Sequence, residues 1–250
     1  MTQARGYRPG IQGGRRANDP TGAFAELTLQ SPFDSTEAWA RLFRRVAEPV
    51  LAGTPLDLVS KGAVADAKPF IETFSDEHGH RRAVDRPLLA LLLGVDPGPT
   101  PPVRSEDERL WWALHDRELA RAAVADALGR TGPVTAEDSG IGVEIWTETE
   151  LAALHALDAH ARSQPDAEGA IARRVRSAAR WHVERLQPDN ATNHPWAAHV
   201  FARLSVEERD VEARMHAETL LNIASVSMGR PDRFSACILL DAARSLEPGG

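Results

Sequence analysis

Histidine is the side chain best suited to moving protons near neutral pH, and the chain carries nine. Three of them, His182, His194 and His199, fall around one polar stretch. It reads Gln187-Pro188-Asp189-Asn190-Ala191-Thr192-Asn193-His194-Pro195-Trp196, the densest cluster of hydrogen-bonding side chains beside an aromatic. Placed on helices at about 100° per residue, His182 shares an arc with Ile171, Val175, Ala178 and Ala179. Asp158 falls among Leu151, Leu154 and Leu157, with His155 at the edge of that face. His199 borders Trp196, Val200 and Leu204, and His216 lies among Val211, Met215, Thr219 and Ile223. His160 points the other way and is expected in solvent. A buried polar group costs about 1–3 kcal/mol unless it is paired, so polar residues on the inner faces of neighbouring helices are expected to meet. This singles out His182, His199 and Asp158 as candidate acid–base groups, with Asp189, Asn190, Asn193, His194 and Trp196 as candidate ligand contacts. The competing reading makes each inward histidine a core residue bonded to a carbonyl or to Asp158. Asn193 or His194 would then cap a helix that opens at Pro195.

The familiar catalytic patterns are absent. There is no H-E-x-x-H, phosphate-binding loop, G-x-G-x-x-G or G-x-S-x-G, and no helical Glu-x-x-His pair. The sequence names no cofactor and no metal ligand set. His115-Asp116 resembles the doublet of HD phosphohydrolases, which are all-α and metal-dependent. That resemblance would enlist His78 or His80 upstream and Asp158 or Asp189 downstream.

These residues must be held by helices. Of 29 lysines and arginines only Lys61 and Lys68 are lysine, and with some forty alanines the composition favours helix over sheet. A net charge of −7 removes the footprint of a general nucleic-acid binder. The longest apolar run, 87–95, is too short for a membrane span, and a cytoplasmic location is expected. The single Cys237 excludes an internal disulfide and reads as a small core residue. Residues 1–33 read as a flexible tail, 34–94 as an N-terminal helical segment, 95–104 as a Pro-rich linker and 105–247 as a helical-hairpin domain. Within 34–94, Trp39, Leu42, Phe43, Val46 and Val50 mark a helix closed by Pro49 and Gly53. The runs on either side of Ser75-Asp76-Glu77-His78-Gly79-His80 suggest a β-hairpin over 70–84.

Downstream, helices are expected at 106–128, 148–163, 167–186, 194–204, 206–228 and 232–246. Capping boxes are read at Ser105/Glu108, Thr147/Glu150 and Ser205/Glu208, with left-handed caps at Gly129 and Gly229. The stretch 129–147 has room for a short strand. Arg173, Arg174, Arg176 and Arg180 read as a solvated face. Of Trp111 and Trp112, one is expected in the core and the other over the linker or a partner. Gln164-Pro165-Asp166, Gln187-Pro188-Asp189 and Arg230-Pro231-Asp232 each separate two helices.

The segment Arg180-Trp181-His182-Val183-Glu184-Arg185-Leu186-Gln187-Pro188-Asp189-Asn190 resembles hairpin turns of α/α-toroid proteins of the terpene-cyclase and prenyltransferase kind, with Asn190 where those carry glycine. The resemblance implies stacked antiparallel helical hairpins, as in a partial toroid or superhelix. The expected function is a helical binding or scaffold module with a polar pocket between helices, engaging a small molecule or a protein. The alternative is a small α-helical enzyme using the His/Asp/Asn cluster around 182–199.

Overall fold

A computed structural model describes residues 33–63, 66–137, 140–163, 169–186, 192–226 and 228–247. The tail expected over 1–33 falls almost wholly outside them, as do Asp189, Asn190 and the turns at 164–166 and 187–189. The described residues form eleven helices and no strand. They are α1 (Thr36–Leu51), α2 (Pro55–Ser60), α3 (Ala67–Thr73), α4 (Asp85–Leu93), α5 (Glu106–Ala113) and α6 (Arg117–Leu128). Then follow α7 (Val143–Ser163), α8 (Ala170–Arg185), α9 (Ala198–Glu208), α10 (Val211–Val226) and α11 (Arg233–Leu246).

The expected mainly α fold of stacked antiparallel hairpins is what forms. α1 lies along α11, α9 along α10, and α7 lies between α5 and α8, with α11 also touching α9 and α4. Two helices are enclosed over much of their length. In α11 every residue from Phe234 to Ala243 is buried, and in α7 every residue from Glu150 to His160. Alanine makes this possible. Ala152, Ala153 and Ala156 on α7, Ala198 and Ala202 on α9, and Ala236, Ala242 and Ala243 on α11 let axes approach closely. Trp39, Phe43 and Ala47, four residues apart on α1, bury the face that helix turns inward. Arg44 closes the pair by bonding Glu247 with Nε (2.5 Å) and Nη2 (2.7 Å).

Several local expectations give way to stronger competitors. The β-hairpin over 70–84 does not form. Phe70, Ile71 and Phe74 have helical spacing, Ile71 and Phe74 are buried, and the Phe70 and Phe74 rings meet edge-on at 5.6 Å. The turn that follows is organised by Asp76 instead of a ladder. Its Oδ1 accepts from the His78 and His80 amides, both at 2.9 Å, and Gly79 takes φ +79°. The stretch 143–146, read as room for a strand, opens α7. Thr147 is therefore inside that helix, donating to the Val143 carbonyl, and Glu150 is free for other work.

The helix expected over 106–128 breaks at 114–116, because Asp116 accepts from the Glu118 and Leu119 amides and starts α6. Ser205 likewise lies within α9, and Asp210 rather than Ser205 supplies the side-chain acceptor for the amides that open α10. Gly129 is right-handed, whereas Gly229 has the expected positive φ. Pro49 sits inside α1, which runs on to Leu51. Val211 and Met215, expected inward, are exposed; α10 instead buries Ala213, His216, Ala217 and Leu220. Trp111 and Trp112 are both buried, their indoles donating to the carbonyls of Ala152 and Ala83. Arg174 leaves the solvated arginine face altogether and donates to the carbonyls of Ala127, Gly132 and Pro133.

Candidate functional site

The inward histidines do meet carboxylates, in separate pairs. His182 Nε2 lies 3.1 Å from Glu150 Oε1, whose carboxylate also accepts the Val134 (2.7 Å) and Thr135 (2.6 Å) amides. That pair fastens the 133–135 segment to α7 and α8. His199 Nε2 lies 3.0 Å from Asp158 Oδ2, and Arg203 Nη1 reaches Asp158 Oδ1 at 2.7 Å. Burial pushes the Asp158 carboxyl up, but the charges of Arg203 and His199 outweigh it and hold it well below the usual range. Burial, reinforced by neighbouring His155, drives His199 down to about 3.

His155, placed by the sequence at the edge of its face, is fully buried and links the two halves of this network. Its Nδ1 accepts the Ala197 amide at 3.2 Å, so its proton sits on Nε2 and faces Asp241 Oδ2 at 2.9 Å. Arg162 donates to the same Asp241 oxygen at 2.7 Å. His160 is not in solvent; Nε2 donates to the Leu110 carbonyl at 3.0 Å in the core. His216 Nδ1 lies 3.1 Å from the Glu212 carbonyl. Of the inward histidines, His199 bonds Asp158 as the core reading expects, while His155 bonds Asp241 and His182 bonds Glu150; Nδ1 of His199 and of the buried His160 has no partner among the described residues.

A different set of residues surrounds open space. A cavity of about 630 Å³ is lined by the turn after α3 (Asp76, His78, His80, Arg82), the first turn of α5 (Asp107, Glu108) and Glu148 and Thr149 of α7. Asn193, His194 and Trp196, Met228 and Arg230 after α10, and Asp232 before α11 add to it, with apolar patches from α7 and α10 between them. Of the sequence-derived candidates, Asn193, His194 and Trp196 are here. His182 and His199 do not line it, and Asp158 faces another cavity of about 320 Å³ with Arg162, Arg176, Arg203 and Ser245.

Each wall is held by identifiable contacts. Asp76 accepts Arg82 Nη2 at 2.8 Å, and the Arg82 guanidinium lies 4.3 Å from the Phe234 ring centroid. Glu77 accepts the Arg233 amide at 2.8 Å, fastening the turn to the start of α11. Burial works against Asp76, but Arg82 and the two turn amides bring it down to about 2. Glu148 Oε1 accepts the Trp196 indole at 2.9 Å and Oε2 the Asn193 amide at 2.7 Å. Burial outweighs these donors and pushes Glu148 up to about 7. The bend at 193–196 is thus held by a carboxylate instead of forming the expected cap. Asn193 and His194 lie outside α9, whose first flank is Ala197 at φ +55°.

His194 Nδ1 lies 3.1 Å from Ser235 Oγ, and Ser235 Oγ lies 3.2 Å from Asp232 Oδ2. Burial, with Arg82 adding to it, lowers His194 to about 4, so the ring is neutral at neutral pH. Asp107 is raised by burial, and its Oδ1 is buried with no partner among the described residues.

Glu148, Asp107, Asp232 and Ser235 are not among the site residues expected from the sequence. A signal existed for Asp232 alone, in the Arg230-Pro231-Asp232 turn. For Glu148, the box read at Thr147/Glu150 drew attention to its neighbours.

Among the described residues the HD-like arrangement does not assemble. Asp116 caps α6, and His115 Nε2 is held 2.9 Å from the Pro87 carbonyl. No group of three or more His, Cys, Asp or Glu among the described residues is placed to hold a metal ion. No described helix is long and apolar enough to cross a membrane. No family model matches the chain, and neither a curated protein nor a solved structure does.

Proposed function

We propose that the chain binds a small polar molecule in the 630 Å³ cavity, with Glu148 as the group that exchanges a proton there and His194 as an unprotonated hydrogen-bond acceptor. The observation that carries this reading is convergence. Segments distant in sequence, around Asp76, Asp107, Glu148, His194 and Asp232, turn polar side chains into one concave space of ligand size. Two of them have environments that move their proton affinities in functionally distinct ways. Glu148 sits near neutrality and can hold or release a proton, while His194 stays unprotonated. The charges of both arginines in the lining are already countered, Arg82 by Asp76 and Arg230 by Glu77, which leaves Arg82 Nη1 as a single buried donor without a partner among the described residues. The wall formed by Glu148, Asp107, His194 and Asp232 is rich in acceptors. A ligand that donates hydrogen bonds, an amine or a polyol, therefore suits it better than an oxyanion.

The test is a thermal-shift panel on the full chain with ethanolamine, glycerol, acetate and inorganic phosphate as probes. Saturable stabilisation by the donor-rich probes, lost in Glu148→Gln and Asp107→Asn, supports the reading. Equal or absent response across the panel contradicts it.

A scaffold role has no comparable site among the described residues. Asp158 and His199 act on this cavity only indirectly, through His155, which packs against His199 and against Trp196 (5.5 Å between ring centroids), and His182 bonds Glu150 away from it.

A further inference from the structure

The geometry points to Asp232 and Ser235 as the pair that fixes His194 as a hydrogen-bond acceptor at Nε2, making the cavity selective for ligands that present an O–H or N–H donor to that atom. This inference rests on the cavity being the ligand site.

The chain of reasoning starts at the first turn of α11. Asp232 caps that helix, its Oδ1 accepting the Ser235 amide at 2.7 Å. The helical rise then sets the Ser235 hydroxyl 3.2 Å from the other oxygen, Oδ2. An ionised carboxylate accepts hydrogen bonds and has none to give, so the single hydroxyl proton of Ser235 goes to Asp232. Toward His194 the hydroxyl can then only accept. The 3.1 Å contact between Ser235 Oγ and His194 Nδ1 consequently needs a proton on Nδ1. In the neutral ring that leaves a bare lone pair on Nε2. Asp232 Oδ2 lies 3.9 Å from the same Nδ1 and favours the same arrangement.

The ring has little freedom to choose otherwise. It meets Phe234 edge-on at 5.0 Å between centroids, and Ser235 is fully buried. The Thr192 hydroxyl donates to the His194 carbonyl at 3.0 Å and holds the backbone on which the ring is mounted. Four charged or titratable groups face the ring. Arg82 and His80 come from the turn after α3 and disfavour an imidazolium, while Asp76 and Asp232 favour one. Burial tips this balance to the neutral form, so the acceptor at Nε2 persists across the physiological range.

An imidazolium or the Nε2–H tautomer would offer the ligand a donor. The Nδ1–H tautomer offers an acceptor alone. Asp232 and Ser235 are therefore positioning residues that set what the site rejects, because a ligand with only acceptors would leave two lone pairs opposed.

Long-range proton–nitrogen NMR on the full chain reads the tautomer directly, with the His194 signal assigned by its loss in His194→Gln. The expected result is a neutral ring with the proton on Nδ1 between pH 5.5 and 8. Ser235→Ala should move most of the population to Nε2–H, whereas Ser235→Thr, which keeps the hydroxyl, should restore the wild-type pattern. Asp232→Asn retains a capping oxygen and should give a mixture. An imidazolium or Nε2–H ring in the wild type, or no change in Ser235→Ala, overturns the inference. Addition of ethanolamine or glycerol should shift the Nε2 resonance and inorganic phosphate should not. If the tautomer is as stated and none of these probes moves Nε2, the cavity reading fails and the selectivity falls with it.

Discussion

The Trp196 indole donates to Glu148 Oε1 at 2.9 Å, so a carboxylate in the cavity wall holds a ring that reaches into the core. That ring packs against His155 and Trp111, with centroids 5.5 and 5.6 Å apart, and His155 in turn lies 4.3 Å from His199. The site and the buried ionic network thus share one aromatic wall. His155 and His199 support it from behind.

Glu148 should make stability fall as pH rises. Its folded-state value of about 7 lies above the 4.5 of an unperturbed glutamate, so the folded chain holds this proton more tightly than the unfolded chain. The contribution is complete below pH 4.5 and is lost as pH rises through 7. Relative to Glu148→Gln, the wild type should lose up to about 3 kcal/mol between pH 4.5 and 7.5. Urea unfolding of both proteins at the two pH values measures this. A difference that does not change with pH would assign Glu148 an ordinary acidity.

His199 acts in the opposite direction. Its folded-state value of about 3 lies below the usual 6.5, so protons bind preferentially to the unfolded chain in this window. The histidine therefore costs stability as pH falls from 6.5 toward 3, by up to about 1.4 kcal/mol per pH unit. His199→Asn should be less stable at pH 7 yet show a shallower acid limb. An unchanged acid limb in denaturant melts from pH 6.5 to 4 would refute this.

Asp158 is the anchor of the inner network, since His199, Arg203 and Ser245 all bond it. Asp158→Ala leaves buried donors and a cation without a partner, at an expected cost of about 3–5 kcal/mol. Asp158→Asn keeps the shape but loses the charge and should fall between. Thermal denaturation of the three proteins ranks them.

Arg174 should behave unlike its neighbours in sequence. Its guanidinium satisfies three carbonyls, so Arg174→Lys, which cannot span them, is expected to cost about 1–3 kcal/mol. Arg176 makes an exposed pair with Glu207, and Arg176→Lys should change stability by about 0.5 kcal/mol or less. Chemical denaturation distinguishes a matched pair of effects from this asymmetry.

The helical class and most helix positions were legible because an alanine-rich amphipathic period favours helix in itself, although the face it turns inward was not always the expected one, as Val211 and Met215 show. Helix ends were less so, for a capping pattern states what a side chain could bond and not what competes for it. Glu150 fits a capping box, yet a histidine and two loop amides claim it. Arg174 sits in a run that looks solvated, and only the neighbouring carbonyls of the 127–133 turn draw it inward. In the site, Asn193, His194 and Trp196 stood out as polar and aromatic exceptions to the Ala/Arg background. Glu148, Asp107 and Ser235 did not, since a lone carboxylate or hydroxyl on a helix is ordinary until a distant segment folds over it.

The Trp196 indole N–H is bonded to Glu148 and belongs to the cavity lining, so its NMR cross-peak reports on the site. Titration of the full chain with ethanolamine should move this peak and the amides of Asn193 and His194 together and saturably. In Glu148→Gln the response should weaken at least tenfold. Peaks that stay fixed while the probe binds elsewhere, or no saturable binding at all, would contradict the assignment of this cavity as the ligand site.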